Sequence, residues 1–260
     1  MKVVILCGGL GTRLREETEF RPKPMVKVGT KPILWHIMMI YAHYGFKEFV
    51  LALGYRGEII KEYFYNYEIY NEDFSVHLGG ENNRIERSQP NRTPDWTVSL
   101  VDTGEQALTG ARIKRIEPWI DGDEFMLTYG DGVANIDIQR LLEFHQKHGK
   151  IATVTGVHPP ARFGELHVRG DKVEVFSEKP QTSSGLISGG FFVFSRRLFD
   201  LLTTDDACEL ERDPLERLAR EGQLIVYDHR GDWACMDTYR DLQHLNHVWN
   251  ANQAFWKVWK

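Results

Sequence analysis

Lys2-Val3-Val4-Ile5-Leu6 runs without a break into Cys7-Gly8-Gly9-Leu10-Gly11-Thr12-Arg13-Leu14, and Arg21-Pro22-Lys23-Pro24 follows. The first five residues read as a short β-rich strand. The glycines at 8, 9 and 11 let the backbone come close to a ligand and turn its N–H groups into one concavity. Arg13 and Lys23 bring a guanidinium and an ammonium to the same stretch. Donors and cations so arranged suit a polyphosphate.

Three familiar phosphate loops fail against this stretch. A P-loop needs a Gly-Lys-Ser/Thr triplet after four intervening residues, and the chain has none. The dinucleotide fingerprint read from Gly9 and Gly11 meets Leu14 where its last glycine belongs. A kinase loop would need His-Arg-Asp and Asp-Phe-Gly partners, and both are absent. A glycine-rich turn between strand and helix is the plain alternative.

At 260 residues with 42% hydrophobic content, the chain can bury a sizeable core as one large domain or two small ones. A net charge of −5 argues against a nucleic-acid partner, whose basic stripe would show in the balance. Cys7, Cys208 and Cys235 lack Cys-x-x-Cys spacing, so neither a disulfide framework nor a zinc site is expected. A strand begins at once, without a signal peptide, and no apolar run reaches membrane-spanning length. A cytoplasmic protein with no membrane partner is expected.

Strands and helices alternate through residues 1–150. A helix is expected from Thr30 as N-cap, with Pro32 in its first turn, to Gly45. Further strands are expected at Phe49–Leu53, Val98–Val101, Phe125–Tyr129 and Ile151–Val157, with helices near Glu58–Phe64, Gln106–Ile116 and Ile138–His148. This alternation predicts an α/β fold, a mostly parallel sheet covered by helices on both faces. Beyond residue 160, residues 164–168 and 172–176 read as a β-hairpin, Gly190–Phe194 as a returning strand, and the stretch from Asp241 as a helix. With no repeat or linker, residues 1–260 read as one domain.

Gly79 to Asp95 is polar and irregular, and is expected to be a flap over the ligand or an arm to a neighbouring subunit, with simple disorder as the alternative. Phe255, Trp256 and Trp259 crowd the chain's end, where tryptophans often bury against a partner subunit, so a homo-oligomer is expected. His145 and His148, three apart on a helix, read as cations near its C-terminus rather than as metal ligands. Cys7, with no base fixed beside it, reads as a small packing residue.

Two aspartates draw notice. Asp131 follows an apolar strand inside Gly130-Asp131-Gly132, where open α/β sheets bind ligands, although Gly-Asp-Gly is equally a common turn. Asp237 in Trp233-Ala234-Cys235-Met236-Asp237-Thr238 taken alone reads first as a helix cap.

Gly-Gly-x-Gly-Thr-Arg-Leu with Pro-Lys-Pro, Gly130-Asp131, Glu178-Lys179-Pro180 and Trp233-x-x-x-Asp237-Thr238, in this order, resemble the sugar-1-phosphate nucleotidyltransferases, and the match covers nearly the whole chain. The resemblance implies a Rossmann-like, glycosyltransferase-A-like fold with a small β-rich sugar-binding portion. Residues 1–150 would mainly bind nucleotide, 151–240 sugar, and 241–260 would form a C-terminal helix. It implies that Asp131 and Asp237 hold Mg²⁺, Arg13 neutralises the triphosphate, and Lys23 holds the α-phosphate or the incoming sugar phosphate. The loop Leu6, Cys7, Gly8, Gly9, Leu10, Gly11, Thr12, together with Gly130, would hold the nucleotide. Lys179 would contact the sugar phosphate and Glu178 the sugar hydroxyls, with Gly164 and Gly189 admitting the ring. Thr103, Gly104, Thr109, Gly110 and Arg112 lie where relatives contact the base. The Cys-Gly-Gly opening is similar to members that join CTP and α-D-glucose 1-phosphate into CDP-glucose, which feeds CDP-deoxysugars of surface polysaccharide (O-antigen). A thymidylyl- or uridylyltransferase and a non-catalytic nucleotide-sugar sensor are the alternatives.

Overall fold

A computed structural model describes residues 1–78, 84–87, 94–158, 165–169, 172–177 and 185–259. Its centre is a seven-stranded sheet made of β1 (Lys2–Cys7), β2 (Glu48–Leu53), β3 (Thr97–Asp102), β4 (Glu124–Tyr129), β5 (Ala152–Val157), β6 (Ile187–Ser195) and β7 (Leu224–His229). The spatial order is β7-β5-β6-β4-β1-β2-β3. Every neighbouring pair is parallel except the two made by β6, which runs against β5 and β4.

Buried parallel strands must be apolar on both faces, and β1 shows this directly. Val3, Ile5 and Cys7 pack into one core, and Val4 and Leu6 into the other. The first core is closed by α1 (Ile33–His43) and α4 (Ile138–His148), through Ile37, Tyr41, Ile138 and Leu141. The second is closed by α3 (Thr109–Arg115) and α5 (Asp213–Arg220), through Ile113 and Leu218. A further helix, α2 (Gly57–Tyr65), joins β2 to the rest. The expected mostly parallel sheet with helices on both faces is therefore present.

Several boundaries differ from expectation for local reasons. Thr30 does not cap α1. Lys31 and Pro32 instead pair with Lys27 and Val28 in a short ribbon, since a residue before proline avoids the helical region. The helix starts at Ile33 and ends before Gly45, whose φ of 89° suits glycine alone. Helix α3 begins at Thr109 rather than near Gln106. The expected hairpin is present as Glu165–Arg169 antiparallel to Lys172–Ser177. Within the stretch read as irregular, Arg84–Arg87 pairs antiparallel with Phe74–His77, while residues 79–83 and 88–93 lie outside the described residues.

The C-terminal helix, α6 (Tyr239–Asn250), is capped by Thr238, whose hydroxyl accepts from the Asp241 N–H while the Asp241 carboxylate accepts from the Thr238 N–H. Beyond it the tryptophans turn inward. Trp256 is 1% and Trp259 9% exposed, and both pack with Trp249 around His36 of α1. They are core of their own chain, so they give no ground for a partner subunit. The histidine pair is also corrected. His145 is buried on the Thr153 hydroxyl at 2.8 Å, and burial holds its pKa down at about 4, so it is neutral rather than cationic. Among the described residues no helix is long and apolar enough to cross a membrane.

Candidate active site

Four charged side chains from four separate stretches meet at the carboxyl ends of β1 and β4. Gly11, at φ 63°, turns the loop after β1 into a 3₁₀ turn, Thr12–Leu14, that carries Arg13. Thr18 braces this turn by donating its hydroxyl to the Gly11 and Leu14 carbonyls at 3.0 and 2.9 Å. Lys23 opens a second 3₁₀ turn, Lys23–Met25, set between Pro22 and Pro24. Pro24 passes close enough to β4 that a Cβ on Gly130 would stand 2.7 Å from its ring and 2.8 Å from the Leu6 carbonyl. Only glycine lets these strands' ends approach so closely.

Asp131 and Asp237 are brought side by side by a ribbon. Gly132–Ala134 pairs antiparallel with Trp233–Cys235, and the Met236 N–H donates to the Asp131 carbonyl at 2.9 Å. The ribbon thus carries each carboxylate at its own end. Asp237 is fixed further by its N–H, which donates to Asp241 at 3.1 Å.

The charges pair closely. The Lys23 ammonium donates to Asp131 Oδ2 and to Asp237 Oδ1, both at 2.6 Å. Arg13 Nη1 donates to the other oxygen of Asp237 at 2.6 Å. Burial alone would lower the lysine pKa, yet the charges and hydrogen bonds of Asp131 and Asp237 outweigh it and hold it above the ordinary value. Two carboxylates that converge on one cation fit a divalent ion of the oxygen-seeking kind, which takes one or two carboxylates and completes its sphere with water and phosphate. Among the described residues no three His, Cys, Asp or Glu side chains form a closed metal cage.

Two cavities flank this cluster. One, of about 370 Å³, is lined by the glycine loop, Pro24, Ala107–Thr109, Arg112 and Gly130. The other, of about 260 Å³, is lined by Ser188, Gly189, Gly190, Trp233 and Cys235. Arg13, Tyr129 and Asp131 border both. Two ligands seated in them would meet at the cluster of charges. A larger cavity of about 970 Å³ lies against β3 and α2, where Phe64, Tyr65, Tyr67, Phe74 and Trp96 share the lining with aliphatic, polar and charged side chains.

Of the residues singled out from sequence, the structure brings together Leu6, Cys7, Gly8, Gly9, Gly11, Thr12, Arg13, Lys23, Gly130 and Asp131 around the first cavity, and Gly189 and Asp237 around the second. Leu10 lies in the same loop with its side chain half exposed. Cys7 is 1% exposed, and burial raises its thiol pKa far above the ordinary value, which agrees with a packing role. Thr103 is buried, donating to the Leu53 carbonyl at 2.6 Å. Gly110 is pressed against Cys208, and Arg112 is spent on the chain's own acceptors. Gly164, Glu178 and Lys179 lie outside the described residues.

Sequence reading missed three groups. The Tyr129 hydroxyl donates to Glu211, which also accepts from Thr109 Oγ1 at 2.5 Å, so Glu211 braces the wall between the two cavities. Trp233 Nε1 donates to the Gly189 carbonyl at 2.8 Å and fixes the floor of the second. Tyr129 and Trp233 stood beside the two aspartates in sequence, which was a signal. Glu211 had none.

A family model described as nucleotidyl transferase matches residues 2–255. The chain is 48% identical to a glucose-1-phosphate cytidylyltransferase of Salmonella typhimurium, and 45% identical to a probable glucose-1-phosphate cytidylyltransferase of Bacillus subtilis; each alignment covers 100% of both chains. The crystal structure of HddC from Yersinia pseudotuberculosis superposes with a TM-score of 0.69 at 23% identity, over 95% of this chain and 99% of that one, and shares its fold.

Proposed function

We propose that this chain, which belongs to the nucleotidyl transferase family, transfers the cytidylyl group of CTP to α-D-glucose 1-phosphate, giving CDP-glucose and pyrophosphate. The observation that carries this function is the meeting of Arg13, Lys23, Asp131 and Asp237 between two cavities. Full-length identity to cytidylyltransferases supports the choice of base and sugar.

The chemistry is a direct displacement. A phosphate oxygen of glucose 1-phosphate attacks the α-phosphorus of CTP, the bond to the β-phosphate oxygen breaks, and pyrophosphate leaves with the electron pair. Two anions repel as they approach, and charge grows on the leaving group, so positioned cations and N–H groups lower the barrier. In this reading the glycine loop after β1 holds the phosphates through its N–H groups, and Arg13 takes charge on the departing pyrophosphate. Lys23 moves from its carboxylates to the α-phosphate or the incoming phosphate. Asp131 and Asp237 would hold Mg²⁺, which would supply a Lewis acid for the phosphoryl oxygens. No covalent enzyme intermediate is needed.

The second cavity takes the glucose, with Gly189 as floor; the family resemblance assigns Gly164 and Glu178 to the ring and Lys179 to its phosphate. Residues 1–150 then serve mainly the nucleotide and 151–240 mainly the sugar, with 241–260 closing the core. The product would feed CDP-linked deoxysugars in the cytoplasm. A homo-oligomer remains part of this function, now on the exposed side chains of Tyr65, Ile69 and Tyr70 rather than on the late tryptophans. Sedimentation as a monomer at micromolar concentration removes it.

Phosphorus NMR of the protein with CTP, glucose 1-phosphate and Mg²⁺ tests the reaction. Pyrophosphate and CDP-glucose should appear in equal amounts. Release of inorganic phosphate instead, or no turnover of a folded protein that binds both substrates, would contradict it.

A further inference from the structure

Glu211 lies on the stretch between β6 and α5 and lines neither of the two cavities, yet its carboxylate reaches the partition between them. One oxygen accepts from the Tyr129 hydroxyl. The other accepts from Thr109 Oγ1 at 2.5 Å, and Thr109 Oγ1 itself accepts from the Leu210 N–H at 2.9 Å. Two backbone bonds knit the same stretch to the start of α3: the Leu108 N–H donates to the Asp206 carbonyl at 2.8 Å, and the Ala111 N–H to the Cys208 carbonyl at 3.0 Å. An ionised carboxylate offers acceptors only, so it can hold two hydroxyls at once, each by a charge-assisted bond roughly twice as strong as a neutral one.

Tyr129 is the wall that this carboxylate holds. It borders both cavities and stands two positions before Asp131. Gly190, at φ 79°, confines its ring, since a Cβ there would stand 2.6 Å from Tyr129 Cδ2. Phe192 meets the same ring edge to face, with centroids 5.9 Å apart. These contacts limit the ring's tilt, and the bond to Glu211 fixes its far end.

We propose that Glu211 is a positioning residue for the transfer step: from behind the partition, its carboxylate fixes Tyr129 and so sets the separation at which the two substrates meet. This rests on the reaction proposed above, because only a step that joins two bound ligands feels that separation. Either ligand alone can settle against a wall that has shifted slightly. Reacting atoms, however, must approach to about 3–3.5 Å, and a misplacement of about 1 Å there costs about a hundredfold in rate.

The test is steady-state kinetics with CTP and glucose 1-phosphate for the wild type, Tyr129→Phe, Glu211→Ala, Glu211→Gln and the double variant Tyr129→Phe with Glu211→Ala. Each kcat is expressed per CTP-binding chain, counted by titration calorimetry. Tyr129→Phe and Glu211→Ala should each lower kcat at least about tenfold, while both KM values stay within about threefold. The double variant should fall no more than about twofold below the lower single variant, since both changes break one contact. Glu211→Gln, whose amide can accept from Tyr129 and donate to Thr109 Oγ1, should keep kcat within about threefold of the wild type. If Glu211→Ala fails to fold, Tyr129→Phe, which keeps the ring, carries the comparison with Glu211→Gln. A lowered melting temperature with kcat per binding chain intact would make Glu211 a stabilising residue only and overturn the inference. A rise in one KM with kcat kept, multiplicative losses in the double variant, or Gln as damaging as Ala would overturn it too. A wild type without turnover would fail the proposed reaction and this inference with it; an active wild type with unaffected variants would fail this inference alone.

Discussion

The ammonium of Lys23 stands 2.6 Å from Asp131 Oδ2, across 108 positions of sequence. It also bridges to Asp237, so one lysine links the two carboxylates that would receive a divalent ion. Cation and ion therefore compete for the same oxygens. Lys23→Met should lower the stability of the free protein by about 1–3 kcal/mol, because two close carboxylates are left with Arg13 alone. Mg²⁺ added without nucleotide should then raise the melting temperature of the variant more than that of the wild type. An equal or smaller rise would show that the lysine does not occupy the ion's place.

Asp131→Asn keeps the size and most hydrogen bonds of the side chain while removing its charge. Pyrophosphate release should fall at least about a hundredfold, the scale expected when transition-state charge loses its stabilisation. The melting curve should show a folded protein. Near-normal turnover would deny Asp131 its role.

Lys179→Ala should raise KM for glucose 1-phosphate by about tenfold or more, as for loss of a charge-assisted bond to phosphate, and leave CTP affinity unchanged. Loss of CTP binding instead would place Lys179 on the nucleotide.

Acid should weaken the fold through two buried histidines. His36 accepts from Trp256 Nε1 and faces the Val28 carbonyl; His145 faces Thr153, His148 and Glu124. Burial lowers both from 6.5 to about 4. A lowered histidine pKa means that the unfolded chain binds the proton first, so the stabilisation is complete above pH 6.5 and is lost as pH falls from there towards 4. The loss should be about 1–3 kcal/mol for each histidine, read as a falling melting temperature over that window. His145→Asn should flatten the slope; an unchanged slope in the variant would deny its part.

Much of the fold was legible because buried parallel strands leave uninterrupted runs such as Val3–Leu6 and Phe125–Tyr129, and because glycine marks where they end. The phosphate loop was legible for the same reason. What sequence could not give was proximity. Asp237 read first as a cap, and only the ribbon between Gly132–Ala134 and Trp233–Cys235 sets it beside Asp131. Arg112 was placed at the base by the family resemblance alone, and sequence gave no sign of the five acceptors that its guanidinium meets in its own chain. The late tryptophans were apolar enough for an interface, but His36 and α1 take them first. In each case the composition was visible and the partner was not.

The most direct measurement is pyrophosphate release with glucose 1-phosphate and Mg²⁺, comparing CTP, UTP, dTTP, ATP and GTP in parallel. The account predicts strong preference for CTP. Preference for UTP or dTTP would contradict the base assignment while keeping the mechanism. Binding of a nucleotide with no release from any of the five would contradict catalysis itself and leave a sensor on the same fold.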